Sequence, residues 1–210
     1  MLFVENISFV IDRRIIFEKL TFNISNGNLL KIMGSNGCGK TSLLKILAFL
    51  YKRSSGNIFW NGNLIDDDKY YVYTNNIIFV SCRQGLSLLL TPFENFDFYL
   101  SLVTDKKKIC INDAFHKMQI ENCIDVKCFE LSSGQLQRVV LSRLIIQNSK
   151  IWILDEPFSY LDYNGIILFN NIVIDFLNSG GIVILTDHSD SIKFFSNIYK
   201  QKQTFCLSRR

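Results

Sequence analysis

Gly34-Ser35-Asn36-Gly37-Cys38-Gly39-Lys40-Thr41 meets every fixed position of the pattern G-x-x-x-x-G-K-[ST]. At average composition, chance gives such a match with odds on the order of 1% in a chain of this length. The flanks tighten the reading. Leu29 to Met33 is a short apolar run of the kind that forms a buried strand, and Thr41 to Leu50 has the length and composition of a helix. Strand, glycine-rich turn and helix in that order make a cradle for phosphate. Glycines let the backbone turn its N–H groups inward, and the start of the helix adds partial positive charge. The expected nucleotide-binding residues are therefore Gly34, Ser35, Asn36, Gly37, Cys38, Gly39, Lys40, Thr41 and Ser42. Lys40 is expected to reach the β- and γ-phosphates of the nucleotide, and the Thr41 hydroxyl to hold Mg2+. Cys38 fills a variable position, where a small residue suffices.

Downstream, Ile151-Trp152-Ile153-Leu154-Asp155-Glu156 reads as an apolar strand ending in two carboxylates. Asp155 is expected to hold magnesium, directly or through water, and Glu156 to activate the water that attacks the γ-phosphorus. An acidic pair after a strand is a common turn by itself. Its weight comes from the phosphate loop that precedes it.

Around these motifs, strands alternate with helices. Leu2–Val4, Ile7–Val10, Ile15–Phe17 and Leu20–Ile24 carry strand signals broken by polar residues, and Ile58–Trp60 precedes an Asn61-Gly62 turn. Ile77–Val80 and Ile182–Leu185 are short buried strands. Residues from Gly85 to about Cys128 read as helical with a solvated break at Asp105–Lys108, and Leu136–Ile146 and Ile166–Leu177 as helices. The alternation predicts an α/β fold with a mainly parallel sheet. Ser189 to Arg210 holds five Lys/Arg against one Asp and reads as a solvated end.

Composition bounds the function. The 210 residues are 48% hydrophobic with only two prolines, which excludes a disordered chain, and the net charge of +4 does not call for a nucleic-acid partner. Twenty-seven Ile and 19 Asn against two Ala read as coding bias from an AT-rich genome. Apolar runs such as Gly181–Leu185 fall far short of the roughly 20 residues that cross a bilayer. The six cysteines form no C-x-x-C pair and the two histidines lie far apart, so the expectation is reduced, buried thiols rather than zinc or disulfides. The first residues enter a strand directly, without the pattern of a signal or transit segment.

Leu131-Ser132-Ser133-Gly134-Gln135 resembles the signature motif of the ABC ATPases, with serine at its third position. The order of motifs matches as well: phosphate loop, signature, Asp155-Glu156-Pro157, Ser159-Tyr160-Leu161-Asp162, then His188. The resemblance covers about residues 1–195. It implies a P-loop NTPase (RecA-like) core, about 1–84 and 149–198, with an ABC helical subdomain, about 85–148, an N-terminal antiparallel β region and a basic C-terminal end, about 199–210, in one ATPase domain. It also implies that His188 joins Glu156 in catalysis, and that Gln84, Ser132, Gly134 and Gln135 contact nucleotide. Ser132, Gly134 and Gln135 open a helix and would face the γ-phosphate held by a second copy of the chain, giving a dimer that closes on two ATP molecules. Trp152, Phe158, the Ser-Ser signature and the segment Gly85 to Phe96 are similar to the ATPase subunits of cytochrome c maturation exporters. Trp152 and Phe158 are also plausible core aromatics.

Two positions depart from the family pattern. Ile11 stands where an aromatic commonly stacks on adenine, leaving Phe9 and Phe17 as substitutes, and Arg83 holds the slot of a glutamine that here follows as Gln84. The implied role is ATP hydrolysis for integral membrane transporter subunits in a heme-handling export complex. The placement is peripheral on the inner membrane, at the mitochondrial matrix face for an organellar gene or the cytoplasmic face for a bacterial one. Another small ABC exporter, a membrane-independent ATPase of the same family and an ATP-dependent clamp without turnover are the competing readings.

Overall fold

The computed structural model describes residues 1–66, 68–81, 85–102, 111–187 and 202–207. The chain opens with two long antiparallel strands, β1 (Leu2–Ile11) and β2 (Arg14–Ile24), where the sequence suggested four short ones. The polar interruptions are bulges. Asn6 and Lys19 take left-handed φ values of 50° and 52°, and the pairing shifts register around Val4 to Val10 without leaving the ladder. Asp12 and Arg13, at φ 46° and 65°, make the tight turn between the strands.

After β3 (Leu29–Met33), helix α1 (Lys40–Leu47) stops earlier than its composition suggests. Phe49 at φ 57° ends it, with Leu50 N–H donating to Lys45 O at 2.8 Å. Strands β4 (Ser55–Trp60) and β5 (Asn63–Leu64) complete an antiparallel sheet in the order β2-β1-β4-β5. A short helix α2 (Tyr70–Thr74) that the sequence did not reveal leads into β6 (Ile77–Ser81). The middle of the chain contributes α3 (Pro92–Leu102), α4 (Ile111–Lys117), two single-turn helices and α5 (Ser133–Ile146). Residues 105–108, read as a solvated break, lie outside the described residues. Strand β7 (Ile151–Asp155), helix α6 (Tyr163–Asn178) and strand β8 (Ile182–Thr186) follow. α6 begins a turn before the apolar periodicity because Asp162 caps it.

One expectation fails at the C-terminus. The basic end is not simply solvated: Lys202–Cys206 forms β9, parallel to β3 from Leu29↔Lys202 to Met33↔Cys206. The Phe205 ring packs on Phe22 at 4.9 Å, and Leu207 is buried and donates its N–H to Met33 O at 2.7 Å. Averaging charge over the last 22 residues hid the β-forming stretch Thr204–Leu207.

The second sheet runs β6-β7-β8-β3-β9, all parallel, and β7 and β8 are buried at every residue. Its side chains alternate between two cores. Ile151, Ile153, Ile182, Ile184, Leu30 and Ile32 meet α1 and the antiparallel sheet. Trp152, Leu154, Val183, Leu185 and Leu29 meet α4, α5 and α6. The helical segment is tied to the sheet by Gln147, whose amide donates to Ile77 O at 3.2 Å while its carbonyl accepts from the Tyr99 hydroxyl. Cys38, Cys123 and Cys128 are buried free thiols. Cys206 is exposed, against expectation, because it lies on the edge strand. Cys82 and Cys110 lie outside the described residues. No helix among the described residues is long and apolar enough to cross a membrane.

A buried ion pair ties β3 to the end of β8 inside this sheet. Lys31 Nζ in β3 lies 3.2 Å from Asp187 Oδ2, just past β8, with the two side chains 8% and 4% exposed. Burial and the Lys31 charge lower the pKa of nearby Lys202, which Asp187 counteracts. Asp187→Ala leaves both ammonium groups without that carboxylate and should lower the free energy of unfolding by about 3 kcal/mol. Adding Lys31→Met should recover more than half of the loss, as read by urea denaturation.

Candidate functional site

The phosphate loop starts where β3 leaves the sheet. At Gly34 a Cβ would lie 2.3 Å from Leu207 O and 2.6 Å from Cys38 Sγ, so only glycine lets the turn close against the C-terminal strand. Gly39 opens α1 at φ 103°, and a Cβ there would lie 2.6 Å from Ile16 Cγ2. The first turn of α1 contains no acidic residue and no capping side chain. Its N–H groups therefore face outward with the positive end of the helix, the arrangement that receives an anion. The Lys40 ammonium lies across the loop and donates to Gly34 O at 2.8 Å and Ser35 O at 3.0 Å.

The acidic strand end meets this loop directly. The Thr41 hydroxyl donates to Asp155 Oδ2 at 2.8 Å, and the Thr186 hydroxyl donates to Asp155 Oδ1 at 2.7 Å. Glu156 is left-handed, at φ 52°. Its N–H donates to Thr186 Oγ1 at 3.0 Å, and Ser159 donates to its Oε2 at 3.4 Å. Ile16, Asn36, Gly37, Gly39, Lys40, Thr41, Ser42 and Glu156 line one concavity of about 320 Å³. A hydroxyl and a carboxylate side by side beside a phosphate cradle are the hard oxygen donors that magnesium takes, so these residues fit a magnesium nucleotide.

The signature residues stand elsewhere. Ser132 caps α5: its Oγ accepts from Gln135 N at 3.2 Å, and Gln135 Oε1 accepts from Ser132 N at 2.8 Å. The Gln135 amide nitrogen donates to Cys123 Sγ at 3.3 Å, so both ends of this exposed side chain are bonded within its own chain. At Gly134 a Cβ would lie 3.1 Å from Tyr160 O. Ser132, Gly134 and Gln135 do not line the phosphate concavity. α5 is nonetheless tied to the segment after Glu156, since Gln137 donates to Pro157 O at 2.9 Å and Arg138 Nη2 to Asp162 Oδ1 at 2.6 Å.

Several expectations move. Phe9 and Phe17 are buried and pack on each other at 5.9 Å, so neither ring can stack on adenine, while Ile16, which the sequence did not single out, lines the concavity. Trp152 stacks flat on Phe176 at 3.7 Å and bonds Ser149, and Phe158 packs on Phe169, so both are core aromatics. Thr186 was also missed. A threonine at the end of an apolar strand reads only as a β-former. Arg83, Gln84 and His188 lie outside the described residues.

The family model described as ABC transporter matches residues 17–159. The cytochrome c biogenesis ATP-binding export protein CcmA of Aliivibrio fischeri is 38% identical over 90% of this chain and 93% of its own length. The protein of the same name from Yersinia pseudotuberculosis is 35% identical over 99% and 97%. An ABC transporter ATP-binding protein from Pyrococcus furiosus superimposes with a TM-score of 0.77 at 24% identity, covering 98% of this chain and 96% of that one. A dimeric ATP-binding cassette in a post-hydrolysis state with ADP and Pi gives 0.78 at 22% identity, covering 100% and 97%. The two structures establish the fold: a P-loop α/β core with an antiparallel sheet.

The Arg138 bond and then the Gly165 N–H hold the Asp162 carboxyl below its usual range. Stability from a carboxylate held low is complete above its unfolded pKa of about 3.9 and is lost as pH falls through the lowered value. Asp162→Asn should therefore cost stability at pH 7 and nothing once both forms are protonated. The side chain is 63% exposed, so the cost at pH 7 should be below about 1 kcal/mol. Thermal unfolding of both proteins from pH 7 to pH 2 checks the convergence.

Proposed function

Because the chain belongs to the ABC transporter ATP-binding family, we propose that it binds ATP with magnesium and hydrolyses it as the ATPase subunit of an export complex for cytochrome c biogenesis. The observation that carries the reading is the convergence of Lys40, Thr41 and Glu156 on one concavity, with Asp155 bonded to Thr41 behind it. In this mechanism the N–H groups at the start of α1 and the Lys40 ammonium take the β- and γ-phosphate oxygens, the ammonium exchanging its two carbonyl partners for phosphate. Thr41 and Asp155 would hold magnesium, which offsets the charge that develops on the phosphates. Glu156 accepts the proton of the attacking water as the water oxygen bonds to the γ-phosphorus and the bond to the β–γ bridging oxygen breaks, ADP leaving with that oxygen. His188 assists at the γ-phosphate and Gln84 at the nucleotide, as the family motif implies.

The second half of each site comes from a second copy. Ser132 Oγ accepts from Gln135, leaving its proton for an outside acceptor beside the exposed start of α5. Residues about 85–148 act as the helical subdomain, and about 1–84 with 149–198 and the strand β9 as the core. Integral membrane transporter subunits are the partners, heme handling is the pathway, and placement is peripheral on the nucleotide-facing side of the inner membrane. The names of the bacterial relatives support this part of the reading.

Purified wild type should hydrolyse ATP, and Lys40→Ala should lower kcat/KM by two orders of magnitude or more (roughly, from the loss of transition-state charge stabilisation). Glu156→Gln should retain ATP and elute as an ATP-dependent dimer in gel filtration. Equal turnover by wild type and Lys40→Ala would refute the ATPase reading. Failure of membrane subunits to co-purify would refute the exporter reading.

A further inference from the structure

We propose that Thr186 is a positioning residue for hydrolysis, a buried hydroxyl that sets the Asp155 carboxylate and the Glu156 main chain relative to one another. The rest of β8 is Ile182-Val183-Ile184-Leu185, all buried and apolar, and Thr186 at its end is 0% exposed. A hydroxyl in such a place must spend its bonds locally. It spends two of them on the site. Its proton goes to Asp155 Oδ1 at 2.7 Å, and it accepts the Glu156 N–H at 3.0 Å.

Each bond does a separate job. Asp155 Oδ2 faces Thr41 at 2.8 Å, the donor pair that fits magnesium. With Oδ1 held by Thr186, the carboxylate cannot rotate about its Cβ–Cγ bond without losing a hydrogen bond, so Oδ2 stays beside the Thr41 hydroxyl, where the two would hold the ion together. At Glu156 the backbone is left-handed, a conformation disfavoured for a non-glycine residue. The bond from its N–H to Thr186 opposes relaxation of that turn and so keeps the Glu156 carboxylate over the phosphate loop.

Thr186 is itself a firm reference point. It sits between two parallel neighbours, in register with Asp155 on one side and Ile32 on the other. The next residue, Asp187, is anchored to Lys31. The geometry of two acids is thus referred to a strand end that is held on both sides and below.

The inference rests on the ATPase reading, and the experiment separates the two. Thr186→Val keeps the shape and removes both bonds, and Thr186→Ser restores them. Thr186→Val should lower kcat by about 10–100-fold, the usual cost of losing a partner that orients a metal ligand. KM for ATP should change by less than about threefold, and Thr186→Ser should return to within about threefold of wild type, both smaller than that orienting loss. Affinity for a fluorescent ATP analogue gives a readout apart from activity. In EDTA, wild type and Thr186→Val should bind alike, whereas the gain on adding Mg2+ should shrink in Thr186→Val. If Thr186→Val does not fold, Thr186→Cys, whose thiol bonds weakly, takes its place under the same criteria. Wild-type kcat in the variant, equal defects in the Ser and Val variants, or loss of binding in EDTA would each overturn the proposal. Absence of hydrolysis by wild type would overturn the ATPase reading instead.

Discussion

The Asp155 carboxylate accepts a hydroxyl hydrogen bond on each oxygen, from Thr41 and from Thr186, and the arrangement of the site depends on that pair. The two bonds join the first turn of α1 and the ends of β7 and β8, between residues 114 and 31 positions apart in the chain. They can form because β7 and β8 are parallel and in register, Asp155 opposite Thr186, so both strands deliver a polar group at the same level. Apolar side chains enforce that register. A slip of one residue would turn Trp152 and Leu154 from the core around α5 and α6 into the core around α1.

The same two-faced sheet separates the phosphate loop from the signature. α1 packs on one face and α5 on the other, so the helix starts at Lys40 and Ser133 are held by different cores. What joins them is the segment after β7. Glu156 lines the phosphate concavity, Pro157 accepts from Gln137, and Asp162 accepts from Arg138, both donors on α5. A shift of α5 relative to the sheet has to move, or break with, the turn that carries Glu156. Arg138 and Asp162 form a short charge-assisted bond, but its Asp162 side is open to solvent. Its effect is therefore on orientation more than on stability.

Much of the fold was legible in the sequence, for physical reasons that differ by element. The phosphate loop could be read because its backbone demands particular residues: at Gly34 and Gly39 a side chain would collide with Leu207, Cys38 or Ile16. β7 and β8 could be read because strands buried on both faces must be continuously apolar. β9 escaped because an edge strand needs only one partner and tolerates Lys202 and Gln203, so its pattern is diluted. The bulges at Asn6 and Lys19 looked like strand ends because polar residues at left-handed positions are also how turns are written. Within the site, Ile16 and Thr186 escaped because nothing in their residue type marks them. One is an aliphatic in a strand and the other a β-branched residue at a strand end. Their importance lies in which neighbours tertiary structure brings to them.

Gln135 shows why a motif residue and a contact residue need not coincide. Its carbonyl accepts from Ser132 N–H and its amide donates to Cys123, so both ends of the side chain are used within the chain. That use shapes the start of α5: with Gln135 closing the cap from inside, Ser132 keeps its proton and stays exposed at the helix start. A helix start with no acidic residue in its first turn, and a phosphate concavity that Ser132, Gly134 and Gln135 do not line, are complementary halves. Two copies related by a twofold axis bring each half to the other and close both sites at once, whereas a head-to-tail contact closes one and leaves the other open. The separation of the two motifs within one chain therefore favours a symmetric pair as the catalytic unit.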